Sequence, residues 1–156
     1  MAQIKMIVFD MDGSIADLYA VDHWLEKLRA FDPTPYVEAK PMWDMGELAQ
    51  VLEQLQIIGI EIRVVTWLSK ESTREYDNLV REAKREWLAQ YGFPCDHFHG
   101  VAYGTTKANC VRKYLGEGEA ILIDDNAKIR EGWHLGEAVD PTEIDIVEYL
   151  KGLLIQ

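Results

Sequence analysis

The chain has 156 residues, of which 48% are hydrophobic and 28% are charged, a balance typical of a folded globular domain and not of a disordered chain. Sixteen lysines and arginines against 27 acidic residues give a net charge of -11, which argues against a broad surface for nucleic acid or for an anionic membrane. A chain of this length is close to the common size of one compact domain, so we expect one domain over residues 1–156. No apolar run approaches the roughly 20 residues that cross a bilayer, so we expect a cytoplasmic location.

Three apolar runs predict buried strands, at residues 4–9, 61–65 and 120–123. Helices are predicted between them, at residues 46–58 and 71–91, where apolar side chains recur at helical spacing. In the second helix these side chains are Tyr76, Leu79, Val80, Ala83, Trp87 and Leu88. Strands that alternate with helices indicate an α/β protein with a mainly parallel sheet.

The second half of the chain continues this alternation. A strand is predicted at 98–102, a helix at 107–114 capped by Thr105 or Thr106, a helix at 127–133 and a short edge strand at 137–139. A closing helix is predicted at 141–154, with Ile144, Val147 and Leu150 on one face.

Residues 18–45 interrupt the alternation and predict an insertion that could act as a lid. A helix is predicted at 22–30, followed by a loop that contains three prolines. The segment carries five aromatic residues, Tyr19, Trp24, Phe31, Tyr36 and Trp43. We expect these rings to pack the insertion onto the rest of the domain, with stacking on a substrate as the alternative.

Asp10 and Asp12 directly follow the first predicted strand. In extended geometry, positions i and i+2 point to the same side, so the two carboxylates could share one cleft. Ligands of parallel sheets bind at the carboxyl edge of the strands, and Gly13 permits a tight exit from the strand. The alternative is an ordinary Asp-Gly turn.

Two further candidates could contact an anion. Thr66 closes the second strand and offers a hydroxyl donor, while the nearby Ser69 could cap the helix that begins near Glu71. Lys107 stands at the positive end of a helix dipole, which disfavours a cation by roughly 0.3–1 kcal/mol. A neighbouring anion would explain Lys107, although surface lysines also tolerate such positions.

Asp124 and Asp125 end the third apolar strand. Carboxylate oxygens at that edge are the ligands that Mg²⁺ prefers. The alternative is helix capping, with Asp125 or Asn126 as the N-cap of the following helix. Capping needs only one acid, so the second favours a metal site.

Cys95, His97 and His99 alternate along the chain and could suggest a site for a soft metal. We interpret them as core or turn residues. Cys95 and Cys110 are the only cysteines and form no CxxC pair, which excludes a disulfide framework and a four-cysteine zinc site.

Taken in order, these four motifs resemble those of the haloacid dehalogenase-like (HAD-like) superfamily of phosphohydrolases. Residues 10–14 match its DxDGT or DxDGS motif, Thr66 its second motif, Lys107 its third, and Asp124-Asp125 its fourth. The resemblance spans nearly the whole chain. It implies a three-layer, Rossmann-like α/β fold with helices on both faces of a mainly parallel sheet.

The resemblance also implies roles for the acids. Asp10 would be the nucleophile that forms an aspartyl-phosphate, and Asp12 would be the general acid and base. Mg²⁺ would be bound by the carboxylates of Asp10 and Asp124 and by the backbone carbonyl of Asp12, with Asp125 as a further or water-mediated ligand. Thr66, Trp67 and Lys107 would bind the phosphate of the substrate.

The insertion at 18–45 is short beside the caps of many family members, and residues 10–17 look like those of the 5'(3')-deoxyribonucleotidase branch. The leading hypothesis is therefore a phosphomonoesterase that acts on a nucleoside monophosphate or another small phosphate ester. The alternatives are a polynucleotide end phosphatase and a HAD-like protein that binds phosphate without catalysis. Assembly into a homo-oligomer is left open.

Overall fold

A computed structural model describes residues 2–155, so the two ends of the expected domain, residues 1 and 156, lie outside the described residues. The strands in chain order are β1 (Ile4–Phe9), β2 (Ala16–Asp17), β3 (Lys40–Pro41), β4 (Glu61–Trp67), β5 (His97–Val101), β6 (Glu119–Ile123) and β7 (Ala138–Val139). The helices are α1 (Trp24–Arg29), α2 (Thr34–Glu38), α3 (Met45–Ile57), α4 (Arg74–Gln90), α5 (Lys107–Leu115), α6 (Ala127–Glu131) and α7 (Ile146–Leu154).

Five strands form a parallel sheet in the order β5-β4-β1-β6-β7, which confirms the predicted sheet. The last four residues of β1 are buried because this strand is central and covered on both faces. Phe9 lies level with Val64 of β4 and Ile123 of β6. The three strands therefore end at the same edge, where the predicted site residues follow them.

Helices cover both faces of this sheet. One hydrophobic cluster joins alternate residues of β1, β4 and β6 to α3, α7 and the end of α4. The second joins the opposite faces of the same strands to α5 and to Trp133, which follows α6. Trp133 donates its indole N–H to the carbonyl oxygen of Ala120 at 3.0 Å. The arrangement confirms three layers of α/β type.

Most predicted elements are present, and several of them begin or end at other residues than predicted. Helix α7 begins at Ile146, later than predicted, because the Asp145 carboxylate caps it, and Ile144 lies outside the helix and is exposed. Helix α4 begins after Thr73, which accepts from the amide of Tyr76, so the predicted cap at Ser69 is wrong. Thr106 is the N-cap residue of α5 by backbone position, without a side-chain hydrogen bond.

The segment 18–45 contains a short 3₁₀ turn at Leu18–Ala20, then α1 and α2, and the antiparallel pair β2–β3 brings its two ends together. It packs onto α4 through Leu18 and Tyr36. Two further bonds anchor it: the indole of Trp87 donates to the carbonyl of Ala39 at 2.8 Å, and the hydroxyl of Tyr76 donates to the carbonyl of Asp32 at 2.8 Å.

None of the helices within residues 2–155 is both long enough and apolar enough to cross a membrane.

Candidate active site

Two carboxylates, a hydroxyl and a lysine from separate parts of the chain meet at the carboxyl edge of the sheet. Asp10 follows β1, Thr66 lies near the end of β4, Lys107 begins α5, and Asp124 follows β6; all four are buried. The amide of Asp10 donates to the carbonyl of Ile123 at 2.8 Å, so the sheet pairing continues into the first acid. Parallel register therefore brings together residues that are far apart in sequence.

Lys107 links two of the acids. Its ammonium donates to Oδ1 of Asp10 and to Oδ2 of Asp124, each at 2.8 Å. Burial lowers the pKa of Lys107, but the charges of Asp10 and Asp124 outweigh burial and raise the pKa above its ordinary value. Lys107 therefore stays charged. This pairing explains why a lysine occupies the unfavourable first turn of α5.

Ser14 makes a second connection between the two acidic motifs. Its side chain is fully buried, and its hydroxyl donates to Oδ2 of Asp10 at 3.1 Å. The hydroxyl oxygen of Ser14 also accepts from the amide of Asp125 at 3.2 Å. The backbone carbonyl of Ser14 is in turn held by the indole of Trp43 at 2.7 Å. Ser14 was part of the predicted motif, but the sequence indicated no role for it.

Asp10, Asp124 and Asp125 form a cluster that could hold a cation. Ligand atoms from the three carboxylates lie within 4.8 Å of one another. Burial, reinforced by the charge of Asp10, raises the pKa of Asp124 to about 6. The pKa of Asp125 rises to about 7, again first through burial and then through its hydrogen bond to Asp10 and that residue's charge. Crowded carboxylates with raised pKa values are the electrostatic setting that a divalent cation would relieve.

The backbone around this cluster leaves room for the acids. Gly13 has a φ of +82°, and a Cβ atom built there would lie 2.3 Å from Oδ2 of Asp125. Asn126 is the N-cap of α6, since its side chain accepts from the amides of Lys128 and Ile129. Asp125 is therefore not the cap. The carboxylate oxygens of Asp10, Asp124 and Asp125 do not cap α6, and hard oxygen ligands of this kind fit Mg²⁺.

Asp12 belongs to a different network. Its Oδ2 accepts from the ammonium of Lys84 at 2.9 Å, and its carboxylate is not part of the three-acid cluster. Burial raises the pKa of Asp12, against the lowering effect of Lys84, and the charge of Asp10 raises it further. The two carboxylates of the first motif thus lie in one cleft but have different partners.

Sequence reasoning missed Lys84. This residue lies on α4 and is fully buried, where it also donates to the hydroxyl of Thr66 at 2.7 Å and to the carbonyl of Trp67 at 3.1 Å. The signal was present in the helical spacing, because position 84 follows Val80 by four residues and precedes Trp87 by three. Leu79, predicted to share the buried face, is instead half-exposed.

Trp67 contributes to the wall of the cleft. Its indole N–H donates to the carbonyl of Thr105 at 2.8 Å, so that donor is already engaged. Its ring packs against Tyr103, with ring centroids 4.9 Å apart. A contact between Trp67 and phosphate would therefore have to come from the backbone.

The cleft above the acids has a volume of about 310 Å³. The insertion supplies one wall through Leu18, Tyr19, Trp24, Leu25, Leu28 and Tyr36. A second cavity of about 520 Å³ adjoins it and shares Trp67, Tyr103 and Lys107. Tyr19 and Trp24 pack edge to face at 4.9 Å, and Tyr19 is 50% exposed. The expected packing of the insertion is confirmed by Tyr36, which is buried against α4 and also lines the cleft. Tyr19 and Trp24 line the cleft as well, and stacking on a substrate stays a prediction.

The alternating residues Cys95, His97 and His99 lie away from this cluster, in β5 and just before it. His99 is hydrogen-bonded to the guanidinium of Arg63 at 2.9 Å, and the thiol of Cys95 donates to the carbonyl of His97 at 3.1 Å. Within residues 2–155, Asp10, Asp124 and Asp125 are the one group of three or more His, Cys, Asp or Glu side chains placed to share a metal ion.

No protein-family model matches the chain, and no curated protein sequence matches it. Solved structures do. A D,D-heptose 1,7-bisphosphate phosphatase from Burkholderia thailandensis aligns with a TM-score of 0.59 and 12% identity, over 97% of this chain and 99% of that chain. A Mesorhizobium loti protein described as a HAD-like phosphatase aligns with a TM-score of 0.59 and 13% identity, over 99% of this chain and 88% of that one.

A third structure is the N-terminal part of a Bacteroides fragilis protein that contains a phosphatase domain, in complex with Mg. It aligns with a TM-score of 0.56 and 17% identity, over 96% of this chain and 40% of that chain. At these identities the likeness concerns the fold. The chain has the HAD-like α/β fold, which confirms the fold that the resemblance implied.

Proposed function

We propose that this protein is a Mg²⁺-dependent phosphomonoesterase that works through an aspartyl-phosphate on Asp10. The observation that carries the proposal is the separation of the two motif carboxylates: Asp10 belongs to the acid cluster and is held by Lys107, whereas Asp12 lies outside the cluster and is held by Lys84. One carboxylate can then act as nucleophile while the other exchanges a proton. The HAD-like fold supports the same chemistry.

Asp10 would attack the phosphorus atom of the ester. A carboxylate oxygen forms a bond to phosphorus as the bond to the leaving-group oxygen breaks, and the phosphoryl group is transferred to Asp10. Lys107 and the hydroxyl of Ser14 orient that carboxylate. Water then attacks the phosphorus, the bond to Asp10 breaks, and inorganic phosphate leaves.

Asp12 would move the proton in both halves of the reaction. It donates a proton to the departing oxygen in the first half and accepts one from the attacking water in the second. The burial that raises its pKa favours the protonated form required at the start. Thr66, Lys107 and the backbone at Trp67 would hold the non-bridging oxygens of the phosphoryl group.

The carboxylates of Asp10, Asp124 and Asp125, with the backbone carbonyl of Asp12, would hold Mg²⁺. A cation bound there offsets the repulsion between the carboxylates and the phosphate, and stabilises the negative charge of the transferring group. The raised pKa values of Asp124 and Asp125 support this assignment.

For the substrate we propose a nucleoside monophosphate or a similarly small ester. The insertion presents Tyr19 and Trp24 to the cleft beside Asp12, and rings of this kind stack on a planar leaving group. The cleft volume of about 310 Å³ suits a small substrate.

The test is hydrolysis of 4-nitrophenyl phosphate with and without Mg²⁺, followed by a panel of nucleotides and sugar phosphates. We expect Mg²⁺-dependent release of phosphate. Asp10→Asn should lower turnover at least about a thousandfold, because an amide is a far weaker nucleophile than a carboxylate.

The matched control is Asp145→Asn, the same substitution at the N-cap of α7, where Asn serves as well as Asp. It should retain full activity. Turnover retained by Asp10→Asn would refute the covalent route. If the wild-type protein binds Mg²⁺ but hydrolyses no ester of the panel, the result would favour the alternative of a phosphate-binding protein without catalysis.

A further inference from the structure

Lys84 is a buried cation that the proposed reaction does not use directly. Its side chain is 0% exposed, and it is absent from the residues that line either cavity of the site. It therefore lies behind the cleft wall, within reach of the catalytic groups and out of reach of a substrate. An ammonium at such a position must find acceptors, because burial without them is strongly unfavourable.

All three N–H donors of Lys84 have partners. The acceptors are Oδ2 of Asp12 at 2.9 Å, Oγ1 of Thr66 at 2.7 Å and the carbonyl of Trp67 at 3.1 Å. One lysine on α4 thus joins the loop after β1 to the end of β4. Buried ion pairs can often be replaced by apolar side chains without loss of stability, so stability alone does not account for this arrangement.

The contact to Thr66 determines what its hydroxyl can do. Oγ1 accepts from Lys84, and the single O–H hydrogen of the threonine is therefore left to donate. Thr66 lines the cleft, where the phosphoryl group would lie. The contact with Lys84 would thus orient Thr66 as a donor toward a phosphate bound there.

The contact to Asp12 has a similar effect on the carboxylate. Lys84 holds Oδ2, which leaves Oδ1 as the oxygen that can exchange a proton with the leaving group. The ring of Tyr36 covers the ammonium from the insertion side, with Nζ 4.9 Å from the ring centroid. Tyr36 is itself fixed by a hydrogen bond between its hydroxyl and Ser69 at 2.9 Å.

We propose that Lys84 is a positioning residue that aims the hydroxyl of Thr66 at the phosphate and the free oxygen of Asp12 at the leaving group. This inference rests on the proposed phosphatase function. It assigns Lys84 a part in both phosphate binding and leaving-group protonation, without contact to the substrate.

The first experiment compares two esters in the wild type and in Lys84→Met. The leaving group of 4-nitrophenyl phosphate departs without protonation, whereas that of phenyl phosphate needs a proton. General acid catalysis is worth about a hundredfold or more. We therefore expect Lys84→Met to lower kcat/KM for phenyl phosphate at least about tenfold more than for 4-nitrophenyl phosphate.

The second experiment tests the route through Thr66 with inorganic phosphate as a competitive inhibitor. Lys84→Met and Thr66→Val should each weaken inhibition about tenfold, and the double variant should weaken it no more than the worse single variant, since the two residues act as a unit. Full additivity of the two effects would overturn this part of the proposal.

Val80→Ala is the control for loosened packing, because Val80 is buried on the same face of α4, within a hydrophobic cluster, and its side chain carries no hydrogen-bonding group. It should lower the melting temperature and leave the ratio of the two esters unchanged. Should Lys84→Met not fold, Lys84→Gln removes the charge and keeps two N–H donors on a shorter side chain, and a smaller shift of the ratio in the same direction is expected.

If a folded Lys84 variant, like Val80→Ala, leaves the ratio of kcat/KM for the two esters unchanged, the proposal for Lys84 is overturned and the proposed function still stands. A wild-type protein that hydrolyses neither ester in Mg²⁺ would overturn the proposed function and, with it, this inference.

Discussion

Two buried lysines divide the carboxylates of the site into two groups. Lys107 is paired with Asp10 and Asp124, and Lys84 is paired with Asp12. Charges so close together interact strongly because little water screens them. Asp10 and Asp12 are only two positions apart, but each is paired with a different lysine. The division explains how the two carboxylates can have different chemical roles.

The raised pKa values of Asp124 and Asp125, about 6 and about 7, predict that the proposed stabilisation by Mg²⁺ depends on pH. An acid whose pKa is higher in the folded state than in the unfolded state, where it is about 3.9, binds more protons when folded. Its ionisation therefore lowers the stability of the metal-free protein as pH rises from about 4 to about 7. Metal binding needs the ionised acids, so stabilisation by Mg²⁺ should grow over the same range.

The measurement is the melting temperature with and without Mg²⁺ at pH 5 and at pH 8. At a concentration a hundred times Kd, Mg²⁺ adds about 2.7 kcal/mol of stability, or several degrees for a chain of this size. We expect that increase at pH 8 and a small one at pH 5. Asp125→Asn should reduce the difference between the two pH values; equal increases at both would contradict the assignment.

At the scale of elements, the segment 18–45 is a wall fixed to α4. Its bonds to Tyr76 and Trp87 and the packing of Leu18 and Tyr36 hold it against that helix. The same segment presents Trp24 and Tyr19 to the cleft. We therefore predict that Trp24 contributes to substrate selection, whereas the bonds to Tyr76 and Trp87 anchor the insertion.

Trp24→Ala tests this division. We expect the KM for a nucleoside monophosphate to rise about tenfold, since stacking of a base on an aromatic side chain is worth roughly 1–3 kcal/mol. A small alkyl phosphate has no ring to stack, so its kinetics should change little. The assay is steady-state hydrolysis of both esters.

Phe31→Ala is the matched control for Trp24. Phe31 is an aromatic residue of the same insertion and is 47% exposed, but its ring packs against Tyr76 and does not line the cleft. It should leave both KM values unchanged. Equal effects of Trp24→Ala on the nucleotide and on the alkyl ester would argue against stacking.

At the scale of the whole molecule, the net charge of -11 contrasts with the two buried cations of the site. Local ammonium groups and a bound cation can attract one phosphate, while the surrounding field repels a long polyanion. This contrast favours small esters over polynucleotide ends. The cytoplasmic location and assembly into a homo-oligomer stay predictions.

The net negative charge predicts a preference for a nucleoside monophosphate over an oligonucleotide, and added salt should reduce this preference. We expect kcat/KM for a nucleoside monophosphate to exceed that for a 3'-phosphorylated oligonucleotide at least about tenfold at low ionic strength. Added salt should raise the oligonucleotide value, because it screens repulsion. A basic binding track would give the opposite slope, since salt weakens attraction to nucleic acid. Such a result would favour the polynucleotide end phosphatase.

Much of the fold and site could be predicted from local pattern. Continuous apolar runs such as Ile4–Phe9 mark buried parallel strands because both faces are covered, and alternation with helices implies the sheet. Residues that follow such strands must meet at one edge, which is why Asp10, Thr66 and Asp124 could be assigned to a common site. Helix ends were less certain where several polar residues compete as caps, as at Ser69 and Thr73.

The partners of each charge depend on packing between distant elements, and no local pattern encodes them. Lys84 lies 72 positions from Asp12, and α4 brings them to 2.9 Å only when it packs beside the ends of β1 and β4. Ser14 meets the amide of Asp125 across 111 positions for the same reason. Sequence spacing placed the reactive groups at one edge because strand direction and pairing are regular. A buried charge needs a partner of opposite charge, and tertiary packing decides which partner lies within reach. The pairing of each lysine with its acids therefore depends on the tertiary structure.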